Sequence, residues 1–185
     1  MKKTIATMLA VAVLAIGGTT DASGASQRKT AARAKTTATT VQKAAADAAP
    51  VLTKAGLGNV KIGMKRSAIP ATQSGFYSSM KYVKKDPNEM DIPADRAGWV
   101  EFKNNGKTIF AAIIMTNGTV GGIEVYDSAV KTAKGIHVGS KASEVKRLPG
   151  ATFDQDISTY YAGGMSYTVD PDVTKITTGE SLYGY

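Results

Sequence analysis

Val60-Lys61-Ile62-Gly63-Met64-Lys65-Arg66-Ser67-Ala68-Ile69 returns later in the chain as Ile136-His137-Val138-Gly139-Ser140-Lys141-Ala142-Ser143-Glu144-Val145. Apolar residues, the glycine and a closing Ile or Val stand at matching places. Each copy reads as a short strand, a turn at the glycine and then a short helix. In the first, Ser67 is placed to cap the helix and Pro70 must fall in its first turn; in the second, Ser140 is the cap, Glu144 favours the positive helix end and Pro149-Gly150 stops it.

Beyond the first copy, residues 82–98 are rich in Lys, Asp and Pro and read as a surface excursion with few apolar anchors. Three strand-like runs follow, 99–102, 108–115 and 119–126, separated by Asn105-Gly106 and Asn117-Gly118. Asn-Gly supplies the positive φ that tight hairpins need, so an antiparallel meander is expected. Residues 109–115 are apolar on both alternating faces and should form a doubly covered strand. The second copy repeats the order in shorter form. Its runs are 160–161, 165–169 and 173–176, broken by Gly163-Gly164 and Asp170-Pro171-Asp172, and Val173 and Ile176 answer Val120 and Ile123. The starts of the copies lie farther apart than their ends, so the first carries an insertion, assigned to the charged excursion. The expected fold class is α+β: two similar modules, 56–128 and 135–185, each a short helix packed on an antiparallel β-meander, after a disordered N-terminal tether.

The N-terminal region has a different character. Lys2 and Lys3, an apolar run over 5–16 and small residues from Gly17 to Ala25 describe a signal peptide over 1–24, too short in its apolar part to span a bilayer comfortably. Residues 25–55 form a basic Ala/Thr-rich stretch with six Lys or Arg against one Asp, net +5 of the chain's +8, while 56–185 nearly balances. Such a composition cannot bury enough surface to offset its ordering entropy and reads as a flexible linker. There is no cysteine, which excludes disulfides and a lipid-modified cysteine. The expected location is periplasmic or extracellular, with no transmembrane helix in the mature form.

The apolar-x-apolar-Gly-Met/Ser opening, the short helix bearing Ile69 or Val145 and the meander together resemble the repeat of the β-lactamase inhibitor protein. They are also similar to the small lipoprotein subunit of the outer-membrane β-barrel assembly machinery and to related exported bacterial proteins of unknown function. The resemblance spans roughly residues 56–185 and implies non-catalytic protein binding across a sheet face. The chain departs from the lipoprotein in lacking its lipidated cysteine, and from the inhibitor in lacking its disulfides.

Signals for catalysis are sparse. His137 is the only histidine and has neither a second His nor a Cys to help it hold a metal or act as a base. Asp86, Glu89, Asp91 and Asp95 lie among Lys81, Lys84, Lys85 and Arg96 without the spacing of a calcium loop. Asp154-x-Asp156 and Asp170-x-Asp172 suit turns. No phosphate-cradling glycine loop and no Gly-x-Ser-x-Gly elbow occurs. No catalytic residue, cofactor or metal is therefore expected.

Aromatic residues are the remaining lead, because tyrosine joins a large contact area to a polar tip. Tyr160, Tyr161, Tyr167, Tyr126 and Trp99 are the candidate binding residues, and of the adjacent pair Tyr160-Tyr161 a strand sends one to each face. The sequence thus points to an exported, non-enzymatic module that recognises a protein or cell-envelope component through a Tyr-bearing sheet face, with no specific nucleic-acid partner. Two other readings stay open: polyanion or envelope attachment through the basic arm, and a hydrolase of unfamiliar type.

Overall fold

In the computed structural model, which describes residues 50–184, the two copied segments make the same backbone bonds. The Gly63 N–H donates to the Val120 carbonyl (2.7 Å) and the Val120 N–H to that of Met64 (2.8 Å); the Gly139 N–H donates to Val173 (2.7 Å) and the Val173 N–H to Ser140 (2.8 Å). A single antiparallel bridge follows in each case, Lys65 with Thr119 and Lys141 with Asp172. Gly63 and Gly139 sit at φ of 83° and 92°, where a Cβ would be strained, and this explains why both copies turn on glycine.

Strand is the main regular structure of the described chain. β1 (Val51–Thr53), β2 (Gly56–Leu57) and β3 (Val60–Lys61) join β8 (Lys131–Thr132) in a four-stranded sheet of order β3-β2-β1-β8. The larger, eight-stranded sheet is built from β4 (Ser79–Lys84), β5 (Arg96–Asn104), β6 (Lys107–Met115) and β7 (Val120–Val125), then β9 (Thr152–Asp154), β10 (Thr159–Ala162), β11 (Met165–Val169) and β12 (Val173–Gly179). Its order is β4-β5-β6-β7-β12-β11-β10-β9, so two four-stranded meanders meet along their last strands. There Glu124 stands directly opposite Thr177. The offset that carries Val120 to Val173 also carries Glu124 to Thr177, so an approximate two-fold axis passes through this pair and relates the meanders.

The hairpins follow their turn residues. Asn105 (φ 48°) and Gly106 (φ 78°) close β5 onto β6, and Gly163 and Gly164 (62° and 77°) close β10 onto β11, both as two-residue turns with positive φ throughout.

The expected α+β class, with a helix in each module, is not what forms: the described chain is mostly β with one short helix. The first module has only a 3-10 turn, Arg66–Ala68, with no buried residue. Pro70 is the reason, since it disfavours helical geometry in the residue before it, and Ile69 is extended at φ −71°, ψ 124°. The second has α1 (Ala142–Lys146), five residues whose only buried side chain is Val145. Neither Ser67 nor Ser140 is a cap; Lys65 and Lys141 hold those positions without a side-chain bond, and the Ser140 hydroxyl instead accepts from the His137 N–H. Ile69 and Val145 still enter the core at equivalent places.

Two boundaries also shift. β1, with Leu52 fully buried, lies inside the stretch 25–55 read as a flexible linker, so the folded part begins earlier than residue 56. Residues 1–49, which include the expected signal peptide and most of the linker, lie outside the described residues. The excursion at 82–98 is partly strand, belonging to β4 and β5, and its loop is anchored by buried Ile92. The additional residues of the first copy therefore lengthen a hairpin as well as its loop.

One face of the large sheet carries the main core. Phe102 and Phe110 stack at 4.1 Å, Phe76 lies over Phe110 at 5.3 Å, and Tyr77 meets Phe102 edge-on at 4.8 Å. Leu52, Leu57 and Val60 of the small sheet join the same cluster, each fully buried. At about 1.5–3 kcal/mol for each large apolar side chain removed from water, this cluster is the main source of stability. β6 is buried on both faces, as its apolar run requires: Phe110, Ala112 and Ile114 point into this core, and Ile113 points away into a second cluster with Ile92, Leu182 and Trp99. Among the described residues no helix is long and apolar enough to cross a membrane.

Candidate functional site

Strand register defines the second face of the large sheet, here called the back face. One residue from each of the eight strands lies in a single row: Lys81, Glu101, Ala111, Glu124, Thr177, Ser166, Tyr161 and Thr152. Directly paired residues share a face, and the adjacent row through Val100, Ala112 and Ile123 is core, so these eight point the other way. The two-fold axis cuts the row between Glu124 and Thr177. The half on β4–β7 carries charge; the half on β9–β12 carries hydroxyls and one aromatic ring.

The charged half is covered over β7, although Lys81 at its edge stays exposed. Residues 180–184 leave β12 and fold across β7, where Gly122 lies so close to the Glu180 carbonyl that an added Cβ would sit 1.7 Å from it. Arg96, only 4% exposed, binds this strap through its Nε to the Ser181 carbonyl (3.1 Å) and its guanidinium to the Glu180 carboxylate (2.7 Å), while Asp95 pairs with it at 2.6 Å. Glu124 is 1% exposed, yet its carboxylate is satisfied by the Leu182 N–H (3.1 Å), the Tyr126 hydroxyl (2.5 Å) and Lys175 (3.4 Å). A buried carboxylate without such donors would be costly. Burial first, and then the Glu124 charge and its hydrogen bond, push the Tyr126 phenol far above its ordinary value. Lys103, bonded at 3.0 Å, holds the Glu101 carboxyl below the usual range.

The other half is open. Thr152, Tyr161, Ser166 and Thr177 line a groove of about 360 Å³ that ends at the Gly163–Gly164 turn, and no charged side chain lines it. Tyr161 is 37% exposed. Thr177 is 3% exposed, and its hydroxyl, like those of the other three, has no hydrogen-bond partner among the described residues.

The five aromatic candidates do not form one surface. Tyr161 stands in the open half, whereas Tyr126, itself 36% exposed and bonded to Glu124, and Trp99 belong to the other half, Trp99 packing against Ile92, Ile113 and Leu182. Tyr167 is buried in the main core, and Tyr160, its direct cross-strand partner, packs on that core and against Phe153 at 4.5 Å. The Tyr160-Tyr161 step thus splits between faces. Thr152, Ser166 and Thr177 were absent from the sequence candidates. The alternation Met165-Ser166-Tyr167-Thr168-Val169 carries the signal for Ser166, because the apolar residues of that run share one parity.

Elsewhere the polar residues satisfy local structure. His137 Nδ1 lies 2.8 Å from the Val138 carbonyl. Asp86 and Asp154 accept from the backbone N–H groups of Asn88 and Asp156, closing their own turns. Among the described residues no group of three or more His, Cys, Asp or Glu side chains could hold a metal ion.

No protein-family model matches the chain, and no curated protein matches it. Among solved structures it is similar to the uncharacterized protein yfeY from Escherichia coli, at 14% identity and a TM-score of 0.40, over 66% of this chain and 97% of that one.

Proposed function

We propose that this chain is an exported, non-enzymatic binding module that recognises a protein or cell-envelope component through the Tyr161-bearing half of its back face. The observation that carries the reading is the asymmetry across the two-fold axis. One half of the face is occupied by the chain's own strap, and the other presents a half-exposed tyrosine among unpartnered hydroxyls beside a groove. Tyrosine binds without a cofactor, since its ring buries area and its hydroxyl meets a partner's polar groups. Export rests on the character of residues 1–24.

The test is affinity capture from envelope extract with the full-length chain, comparing wild type, Tyr161→Ala and Met90→Ala. Met90 is 93% exposed on the excursion and serves as a surface control. Saturable capture that Tyr161→Ala abolishes and Met90→Ala leaves intact is the expected result; capture equal in all three removes the face from consideration.

A further inference from the structure

We infer that the groove on β9–β12 binds an uncharged glycan chain, an inference that rests on the open half-face being the binding face. The first argument is the row of hydroxyls. Thr152, Tyr161, Ser166 and Thr177 are direct cross-strand neighbours on four consecutive strands, so successive members stand about 4.8 Å apart. Each hydroxyl both donates and accepts, and none has a partner among the described residues. Thr177, though only 3% exposed, lines the groove, and its hydroxyl is not shut in as that of Thr178 is. A ligand that itself bears hydroxyls along its length meets such a row with reciprocal bonds.

Charge supplies the second argument. Glu101 and Lys103 pair within the charged half, and Lys175 of β12 turns across the axis to Glu124, whereas no ionisable side chain other than the tyrosine phenol lines the groove. An ionic ligand would surrender hydration there with no countercharge in return. A neutral one does not. The third argument is shape: Tyr161, 37% exposed, brings aromatic surface to the groove, which suits the C–H side of a sugar, and the groove is shallow, at the small end of ligand sites. A chain passing over the ring and along the hydroxyls fits this better than a compact molecule held in a cavity.

The experiment titrates the full-length chain with cellohexaose, maltohexaose and chitohexaose by calorimetry, with polygalacturonate as the charged comparison. Saturable binding to at least one neutral hexasaccharide is expected, insensitive to ionic strength. Tyr161→Ala should weaken it about tenfold or more. Thr177→Val, which keeps the side-chain shape and so guards against misfolding, should weaken it roughly two- to tenfold. Absence of binding to all three neutral sugars overturns the inference, as does binding confined to polygalacturonate that fades with salt, or binding that both variants retain in full. If the sugars fail while capture of a protein from envelope extract still depends on Tyr161, the ligand class falls and the face remains; if both fail, the face falls with it.

Discussion

The two meanders share a backbone scheme to the level of single hydrogen bonds, yet their back faces have been put to opposite uses. On β4–β7 the face is closed by Ile92 from the long loop and Leu182 from the C-terminal strap, over Ile113 and Trp99. On β9–β12 the corresponding connections are short, no segment among the described residues reaches across, and Tyr161 is left 37% exposed. The two meanders thus offer related back faces, and the long β4–β5 loop together with the C-terminal strap covers one of them. The largest test of this contrast is a pair of truncations. Ile113→Ala should destabilise by about 2–5 kcal/mol, because it opens a cavity in the sealed cluster. Tyr161→Ala should change stability by no more than about 0.5 kcal/mol, as at most surface positions. Denaturant unfolding of both variants measures the difference, and equal losses would mean that the halves are not distinct.

The strap itself is the next target. Gly122→Ala would place a methyl group against the Glu180 backbone, so either β7 or the strap must move, at a cost of about 1–3 kcal/mol. Faster hydrogen exchange at the Leu182 amide, with the β10–β11 amides unchanged, would locate the damage on the sealed side. A smaller effect should appear with pH. The Tyr126 phenol is harder to ionise in the folded protein than at its ordinary value of 10.0, so its contribution is complete below that pH and is lost as pH rises beyond it. Tyr126→Phe should therefore shift alkaline unfolding to higher pH, read by circular dichroism, even though it gives up the bond to Glu124. An unchanged alkaline limb would show that the phenol is not coupled to the strap.

Local chemistry made part of this legible in advance. Asn105-Gly106 and Gly163-Gly164 mark their hairpins because their backbone angles are inexpensive for those residues, and the run at 109–115 announces a strand covered on both sides. The glycines at 63 and 139 disclose the shared backbone scheme. In the first module a 3-10 turn stands where a helix is expected, because the same spacing of apolar residues serves both and Pro70 decides the matter by constraining Ile69. β9, only three residues long, leaves too little pattern to read. The site was harder still. Which back-face residues are covered depends on β7 pairing with β12 and on where residues 180–184 cross, both of them non-local facts. The period of two shows that Tyr160 and Tyr161 part to opposite faces, but which of them meets the core depends on the pairing of Tyr160 with Tyr167.

The finest test concerns the core beneath the open half. The offset that relates the meanders carries Val125 to Thr178; Val125 is fully buried and apolar, while Thr178 is 1% exposed with a hydroxyl that finds no partner. A buried hydroxyl left without a partner costs about 1–3 kcal/mol, whereas valine has nearly the same shape and nothing to satisfy. Thr178→Val restores in the second meander the residue that the first already uses. It should raise stability by about 1 kcal/mol and leave ligand capture through Tyr161 unchanged, because residue 178 points into the core and residue 177 into the groove. If the substitution destabilises the protein, the hydroxyl has a partner that the duplicated scheme does not anticipate. If it stabilises the protein but weakens capture, the open face and the core under it are coupled, and the second meander departs from the first in more than its surface.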